Sequence, residues 1–287
     1  MHARPFIRSL TTLGAVWLGL FQPAPAAAAG AGSEPAAGWP RGARAAVSLA
    51  YDDALDSQLD HAMPVLDKYG LKGSFYLQLS SPVVERRLAA WRRAARHGHE
   101  LGNHSLFHQC SRAAPGHDWV QPQRNLDTTS AEQMQDQVLA ANAMLYAIDG
   151  KRERTYTVPC GDRLAGGAGG VDYLPLIAPA FAAIKAGGGD GVTAPMAALD
   201  PYAVAVLAPQ GLSGRELIAI VERAAQQGGM VNITFHGVGG DYLSTSSAAH
   251  EELVRYLAAH RRIYWTDTFI NIMTYVKKHK PWPPSKT

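Results

Sequence analysis

Two adjacent carboxylates close an apolar run in Ser48-Leu49-Ala50-Tyr51-Asp52-Asp53, and two imidazoles four residues apart follow another in Gly98-His99-Glu100-Leu101-Gly102-Asn103-His104-Ser105-Leu106-Phe107-His108. Like charges held side by side are costly unless a cation or a shared proton lies between them. In an extended strand neighbouring side chains point to opposite faces, so Asp52 and Asp53 are free to take different tasks. If the chain turns helical after Asn103, His104 and His108 project from one face and grip one ion. One carboxylate and two imidazoles suit zinc or a similar divalent ion and leave positions open for water and substrate, the pattern of a catalytic site. Water on such an ion has its pKa lowered toward about 7, and Asp52 is placed to take the proton. A third segment, Ile233-Thr234-Phe235-His236-Gly237, ends an apolar run in a single histidine. A group titrating near neutrality suits protonation of a leaving amine or alkoxide, which makes His236 the candidate general acid.

These residues need a scaffold that presents strand ends to one pocket. Short apolar runs at 45–51, 73–79, 98–103, 154–158, 181–185, 203–207, 230–235 and 262–266 read as strands. Amphipathic segments at 59–69, 88–95, 130–148, 214–227, 248–260 and 267–279 alternate with them as helices. That alternation argues for βα units around a largely parallel sheet, and about seven strands favour an irregular (β/α) barrel, a single α/β domain, over a doubly wound open sheet. Barrels of this kind carry their working residues at the carboxyl ends of strands, where all three segments fall. Arg86, Arg87, Arg92 and Arg93 read as the solvated side of a helix.

The start of the chain reads differently. His2, Arg4 and Arg8 precede an apolar run at 10–21, and Pro23 and Pro25 lead into the alanines at 26–29. A run of about a dozen apolar residues is too short for a span of roughly 20 and fits a cleaved secretory signal peptide. The expected organisation is a signal peptide at 1–29 and one functional domain at 30–287, exported to the periplasm or beyond the cell. Without the leader the chain holds 25 basic and 24 acidic residues. Such a balance gives no electrostatic reason to expect nucleic acid as a partner, and no membrane insertion is expected of the mature chain. Trp119, Trp265, Tyr173 and Tyr242 are candidates for stacking on sugar rings.

Asp52-Asp53 after a strand, His104-Ser105-Leu106-Phe107-His108 and the late strand-end His236 together resemble the polysaccharide deacetylases of the NodB-homology type, carbohydrate esterase family 4. The stretches 66–76 and 98–103 are similar to that family's second and third strand regions. The resemblance implies a divalent metal held by Asp53, His104 and His108, with Zn2+ the first choice and Co2+, Mn2+ or Ni2+ as alternatives. It implies Asp52 as base, His236 as acid, and hydrolysis of N- or O-linked acetyl groups on an oligo- or polysaccharide. One departure stands out. The family's Arg, which braces the catalytic aspartate, is replaced by Thr157 in Thr157-Val158-Pro159-Cys160-Gly161. By the same correspondence the backbone N–H of Cys160 helps stabilise the oxyanion. The family's acidic-aromatic segment has no clear counterpart, Asp200-Pro201-Tyr202 being the nearest. The alignment puts Cys160 and Cys110 in loops bordering one pocket, and a disulfide between them is expected in an oxidising compartment. The missing Arg motivates an alternative, a carbohydrate-binding protein that kept the fold and lost the reaction.

Overall fold

The computed structural model describes residues 38–280 apart from position 190. The described residues belong to one compact unit. The expected signal peptide lies outside them.

Among the described residues ten strands occur in chain order: β1 Ala45–Asp52, β2 Ser74–Leu77, β3 Glu100–Asn103, β4 Thr155–Thr157, β5 Leu164–Ala165, β6 Val171–Asp172, β7 Ala183–Lys185, β8 Val192–Pro195, β9 Gly229–Phe235 and β10 Tyr264–Thr266. Eight of them form one sheet in the order β7-β4-β3-β2-β1-β9-β8, with β10 also on β1. All pairings in it are parallel except β8 on β9. The segment expected as a strand at 203–207 closes the ring through two isolated parallel bridges, Val204 to Lys185 and Leu207 to Ile233. β1, β2, β3, β4, β7, this irregular stave and β9 make the seven-stave α/β barrel that the alternation implies.

The helices are α1 Met63–Lys68, α2 Pro82–Arg86, α3 Leu88–Arg96, α4 Ala131–Asp149, α5 Leu174–Ile177, α6 Gly214–Gln227, α7 Ser247–Ala259 and α8 Phe269–His279. The longest two are fixed at both ends by their own sequence. Ser130 with Gln133 and Ser213 with Glu216 form capping boxes, and Gly150 and Gly228 end the helices in left-handed conformation. Among the described residues no helix is long and apolar enough to cross a membrane.

Strand periodicity sorts the two faces of the sheet. Val47, Leu49 and Tyr51 of β1, Phe75 and Leu77 of β2, Leu101 of β3, and Val231, Ile233 and Phe235 of β9 share one apolar core with the surrounding helices, including Leu217, Val221, Leu253 and Leu257. The alternate positions, Ser48, Asp52, Ser74, Tyr76, Glu100, Thr155, Asn232 and Thr234, are buried as well. This face is therefore mixed, with Ala46, Ala50, Tyr76 and Met230 in a second apolar cluster and a hydrogen-bonded polar group beside it. Glu100 accepts from Ser74 Oγ at 2.6 Å and from the Thr155 hydroxyl, while Tyr76 Oη meets Thr155 Oγ1 at 2.8 Å. Not expected from the pattern were the antiparallel strand β8, the short helices α2 and α5, and the hairpin of β5 with β6, which turns through the glycine-rich stretch at 166–170.

Candidate active site

β1 keeps Asp52 on the interior face, and strict alternation would send Asp53 out toward the helices. The backbone instead turns left-handed, with φ 81° at Asp53 and 59° at Ala54, and the Asp53 N–H donates to Tyr76 O at 3.1 Å. A left-handed non-glycine residue costs about 1–2 kcal/mol, which the surrounding contacts must offset. The outcome is that both carboxylates line one cleft.

His104 follows β3, and its backbone N–H continues the ladder onto Leu77 O at 3.1 Å. Its Nδ1 lies 2.9 Å from Thr157 O. A carbonyl only accepts, so Nδ1 carries a proton, and in the neutral ring Nε2 presents its lone pair. That Nε2 is 3.2 Å from Asp53 Oδ1, and His108 Nε2 is also 3.2 Å from the same oxygen. The helical turn expected after Asn103 does not form. Asn103 Oδ1 accepts from the Ser105 N–H at 2.7 Å and Ser105 Oγ from the His108 N–H at 2.9 Å, with φ 61° at Ser105 and 55° at His108. These side-chain bonds take the donors that a helix would use. The two rings converge from a bend, their centroids 4.8 Å apart.

A bare imidazole nitrogen facing a buried carboxylate oxygen is repulsive unless positive charge lies between them. Among the described residues, Asp53 Oδ1 is buried and has no hydrogen-bond partner. Burial works against the Asp53 charge, yet His104 and His108 outweigh it and hold the carboxyl well below its ordinary range. For His104 burial is likewise outweighed, here by Asp52 and Asp53, and its pKa is raised. The cluster calls for a cation. Donors about 2.0–2.1 Å from a tetrahedral ion stand roughly 3.3 Å apart, close to the spacing found here. Asp53, His104 and His108 therefore fit a divalent metal by donor type, count and separation. Two other groupings of ligand-type residues each include Cys160, whose sulfur is in a disulfide and is no thiolate.

Around this cluster, Asp52 Oδ1 is buried without a hydrogen-bond partner, and Lys185 Nζ is 3.6 Å away. Gln58 Nε2 donates to both the Asp52 and His236 carbonyls, at 2.5 and 3.1 Å, tying the ends of β1 and β9 together. His236 Nε2 lies 3.8 Å from Asp53 Oδ2. Among the described residues no other carboxylate lies within ion-pair distance of it, and Asp200 accepts from the Tyr202 N–H of its own turn instead. Cys110 and Cys160 form the expected disulfide, with Cα atoms 5.9 Å apart, and Cys160 borders the cleft with φ 56°. Of the four aromatic candidates, Trp265 and Tyr173 are core, whereas Trp119 and Tyr242 are exposed at the cleft. Tyr242 Oη donates to Asp53 Oδ2 at 2.8 Å. Lys185 was missed by sequence reasoning, although a lysine ending the apolar run Ala182-Ala183-Ile184 was a visible signal.

A family model described as polysaccharide deacetylase matches residues 41–166, which carry Asp52, Asp53, His104 and His108. This segment belongs to the polysaccharide deacetylase family. His236 and Lys185 lie beyond the match. No curated protein sequence matches the chain. Among solved structures, a putative polysaccharide deacetylase from Mycobacterium smegmatis is 16% identical, with TM-score 0.62, over 88% of this chain and 97% of that one. A carbohydrate esterase family 4 pseudoenzyme from Bacillus anthracis is 17% identical, with TM-score 0.50, over 79% of this chain and 65% of that one. A mutant of the same pseudoenzyme is 18% identical, also with TM-score 0.50, over 79% and 67%. Such identities establish the shared deacetylase fold. The chain spans about two thirds of the pseudoenzyme's length.

Proposed function

We propose that the chain is a metal-dependent hydrolase that removes N- or O-linked acetyl groups from an oligo- or polysaccharide. The ligands are Asp53, His104 and His108, the base is Asp52 and the acid is His236. What supports this most is the convergence of Asp53 Oδ1 with two imidazole Nε2 atoms, at 3.2 Å each, in a cleft that Asp52 and His236 also line. The cleft, of about 790 Å³, is within the range of small-ligand sites.

Bound at these donors, zinc or a related divalent ion would supply an acidified water and polarise the acetyl carbonyl. Asp52 takes the proton of the attacking water. The Cys160 N–H donates to the oxyanion as the carbonyl becomes tetrahedral. His236 protonates the leaving nitrogen or oxygen as its bond to the acetyl carbon breaks, giving acetate and a free amine or hydroxyl. Trp119 and Tyr242 offer aromatic faces at the rim for the sugar. With 1–29 as a signal peptide and 30–287 as the working domain, the protein acts in the periplasm or outside the cell. A disulfide next to the active site suits that compartment. The partner is acetylated glycan, with no role for nucleic acid or membrane insertion.

Acetate release from a panel of N-acetylated amino-sugar oligomers and O-acetylated xylan tests the reading. Turnover by the zinc-, cobalt- or manganese-loaded protein is expected, with loss in Asp52→Asn and His236→Ala while metal stays bound. A second reading, an inactive glycan-binding protein, rests on Thr157 in place of the family's Arg. Glycan binding without acetate release, whatever the metal, would establish it.

A further inference from the structure

Asp52 is 4% exposed, and its Oδ1 receives no hydrogen bond among the described residues. An isolated carboxylate so placed would be strongly destabilising unless a positive charge stood close by. The position that supplies an arginine in the resembling family holds Thr157, which has no charge to give. In the β4–β7 ladder the residue in register with Thr157 is Lys185. Its side chain is wholly buried, and its Nζ stands 3.6 Å from Asp52 Oδ1 and 3.3 Å from Thr234 Oγ1, over the Tyr76 ring at 3.7 Å from the centroid.

We propose that Lys185 is the positioning residue of the catalytic centre, a buried ammonium that pairs with the Asp52 carboxylate and aims it into the cleft from the strand next to the one that carries Thr157.

The surroundings fit this role and little else. Lys185 has no route to solvent, so it is not a surface charge whose pairing is incidental. Thr234 and the Tyr76 face fix the ammonium from two further strands, β9 and β2. The Tyr76 hydroxyl is itself tied to Thr155, which donates to Glu100. Burial draws the Lys185 pKa down to about 8, with Asp52 and Glu100 holding it up, so the group keeps its proton at neutral pH. A buried cation flanked by two buried carboxylates is expensive unless it does something for one of them. Glu100 already has Ser74, Thr155 and the Ile270 N–H as donors, whereas among the described residues Asp52 Oδ1 accepts no hydrogen bond and has the Lys185 ammonium at ion-pair distance.

The inference rests on Asp52 being the base, and its test has two arms that separate it from that reading. In the first, kcat, KM and bound metal are measured for Lys185→Met and Lys185→Arg. The methionine variant should lose about a hundredfold or more in kcat with KM and metal content unchanged, and arginine should restore at least tenfold of that loss. In the second, unfolding free energies of the wild type, Asp52→Asn, Lys185→Met and the double variant close a cycle that needs no substrate. The double variant should be more stable than Lys185→Met alone, because neutralising Asp52 removes the orphaned charge. Turnover of Lys185→Met within threefold of wild type, or an Asp52→Asn effect equal in both backgrounds, overturns the proposal. Absence of turnover in the wild type would sink the functional reading, and the stability cycle would still decide the pairing.

Discussion

Removing the disulfide should cost this fold a large part of its stability and unfasten the active site at the same time. Cys110 and Cys160 are 50 residues apart in sequence. The loop-closure relation for a cross-link of that span gives an entropy of about 14 cal/mol/K, or about 4 kcal/mol at 25 °C. Domains of this size have roughly 5–15 kcal/mol in total and lose about 2–4 °C of Tm per kcal/mol, so a fall of roughly 8–16 °C is expected. Geometry adds a functional consequence. Cys110 is two residues past His108, whose backbone is left-handed, and Cys160 lines the cleft with its sulfur within 4.8 Å of a His108 ring nitrogen. Without the cross-link the bend that presents His108 Nε2 to Asp53 loses its tether, and zinc affinity should fall by about tenfold or more. The assay is urea unfolding and zinc titration of Cys110→Ala/Cys160→Ala beside wild type with and without reductant. Reduced wild type should match the variant. A stability change under about 1 kcal/mol with unaltered zinc affinity would refute the reasoning.

Three further outcomes are expected. His99 and His250 are held neutral by burial, each with its pKa drawn down from 6.5 to about 4, and His99 Nδ1 accepts from the Gly73 N–H. Between pH 6.5 and 4 the unfolded chain therefore binds more protons, so stability is full above about pH 6.5 and declines as pH falls, by about 2 kcal/mol per histidine at pH 5. Urea midpoints at both pH values check this, and His250→Phe should flatten the slope by one proton. Gly102→Ala should destabilise by about 1–3 kcal/mol, because a Cβ there would lie 2.4 Å from the buried Tyr76 ring; thermal melts measure it, and an unchanged Tm contradicts it. Trp119, 58% exposed at the cleft, should raise KM for oligosaccharide severalfold when changed to Ala and leave Tm within a degree or two; an unchanged KM would remove it from the substrate path.

The parts of this protein that sequence reveals are those written in short-range pattern. Unbroken apolar runs locate the buried strands because both faces of each are covered, and Ser-x-x-Gln/Glu boxes with following glycines locate α4 and α6. Asp52, Asp53, His104 and His236 stand at or just past the ends of β1, β3 and β9, where a parallel barrel gathers side chains into one pocket together with those of its loops. The conformation of 104–108 was not legible as a helix or a bend. Asn103 and Ser105 decide it by bonding the backbone, and their competition with helix depends on β3 ending where it does. Likewise 203–207 reads as a strand by composition, yet it contributes single bridges to β7 and β9 rather than a ladder. Lys185 escaped notice because its partner is 133 positions earlier in the chain, and only the curl of the sheet brings β7 across to β1.

Zinc titration into metal-stripped protein tests the central claim most directly, read by calorimetry beside Asp53→Ala, His104→Ala and His108→Ala variants of confirmed fold. One ion per chain is expected to bind, with protons released near neutral pH, and each variant should lose that binding. Undiminished binding in the three variants, or none in the wild type, would contradict it.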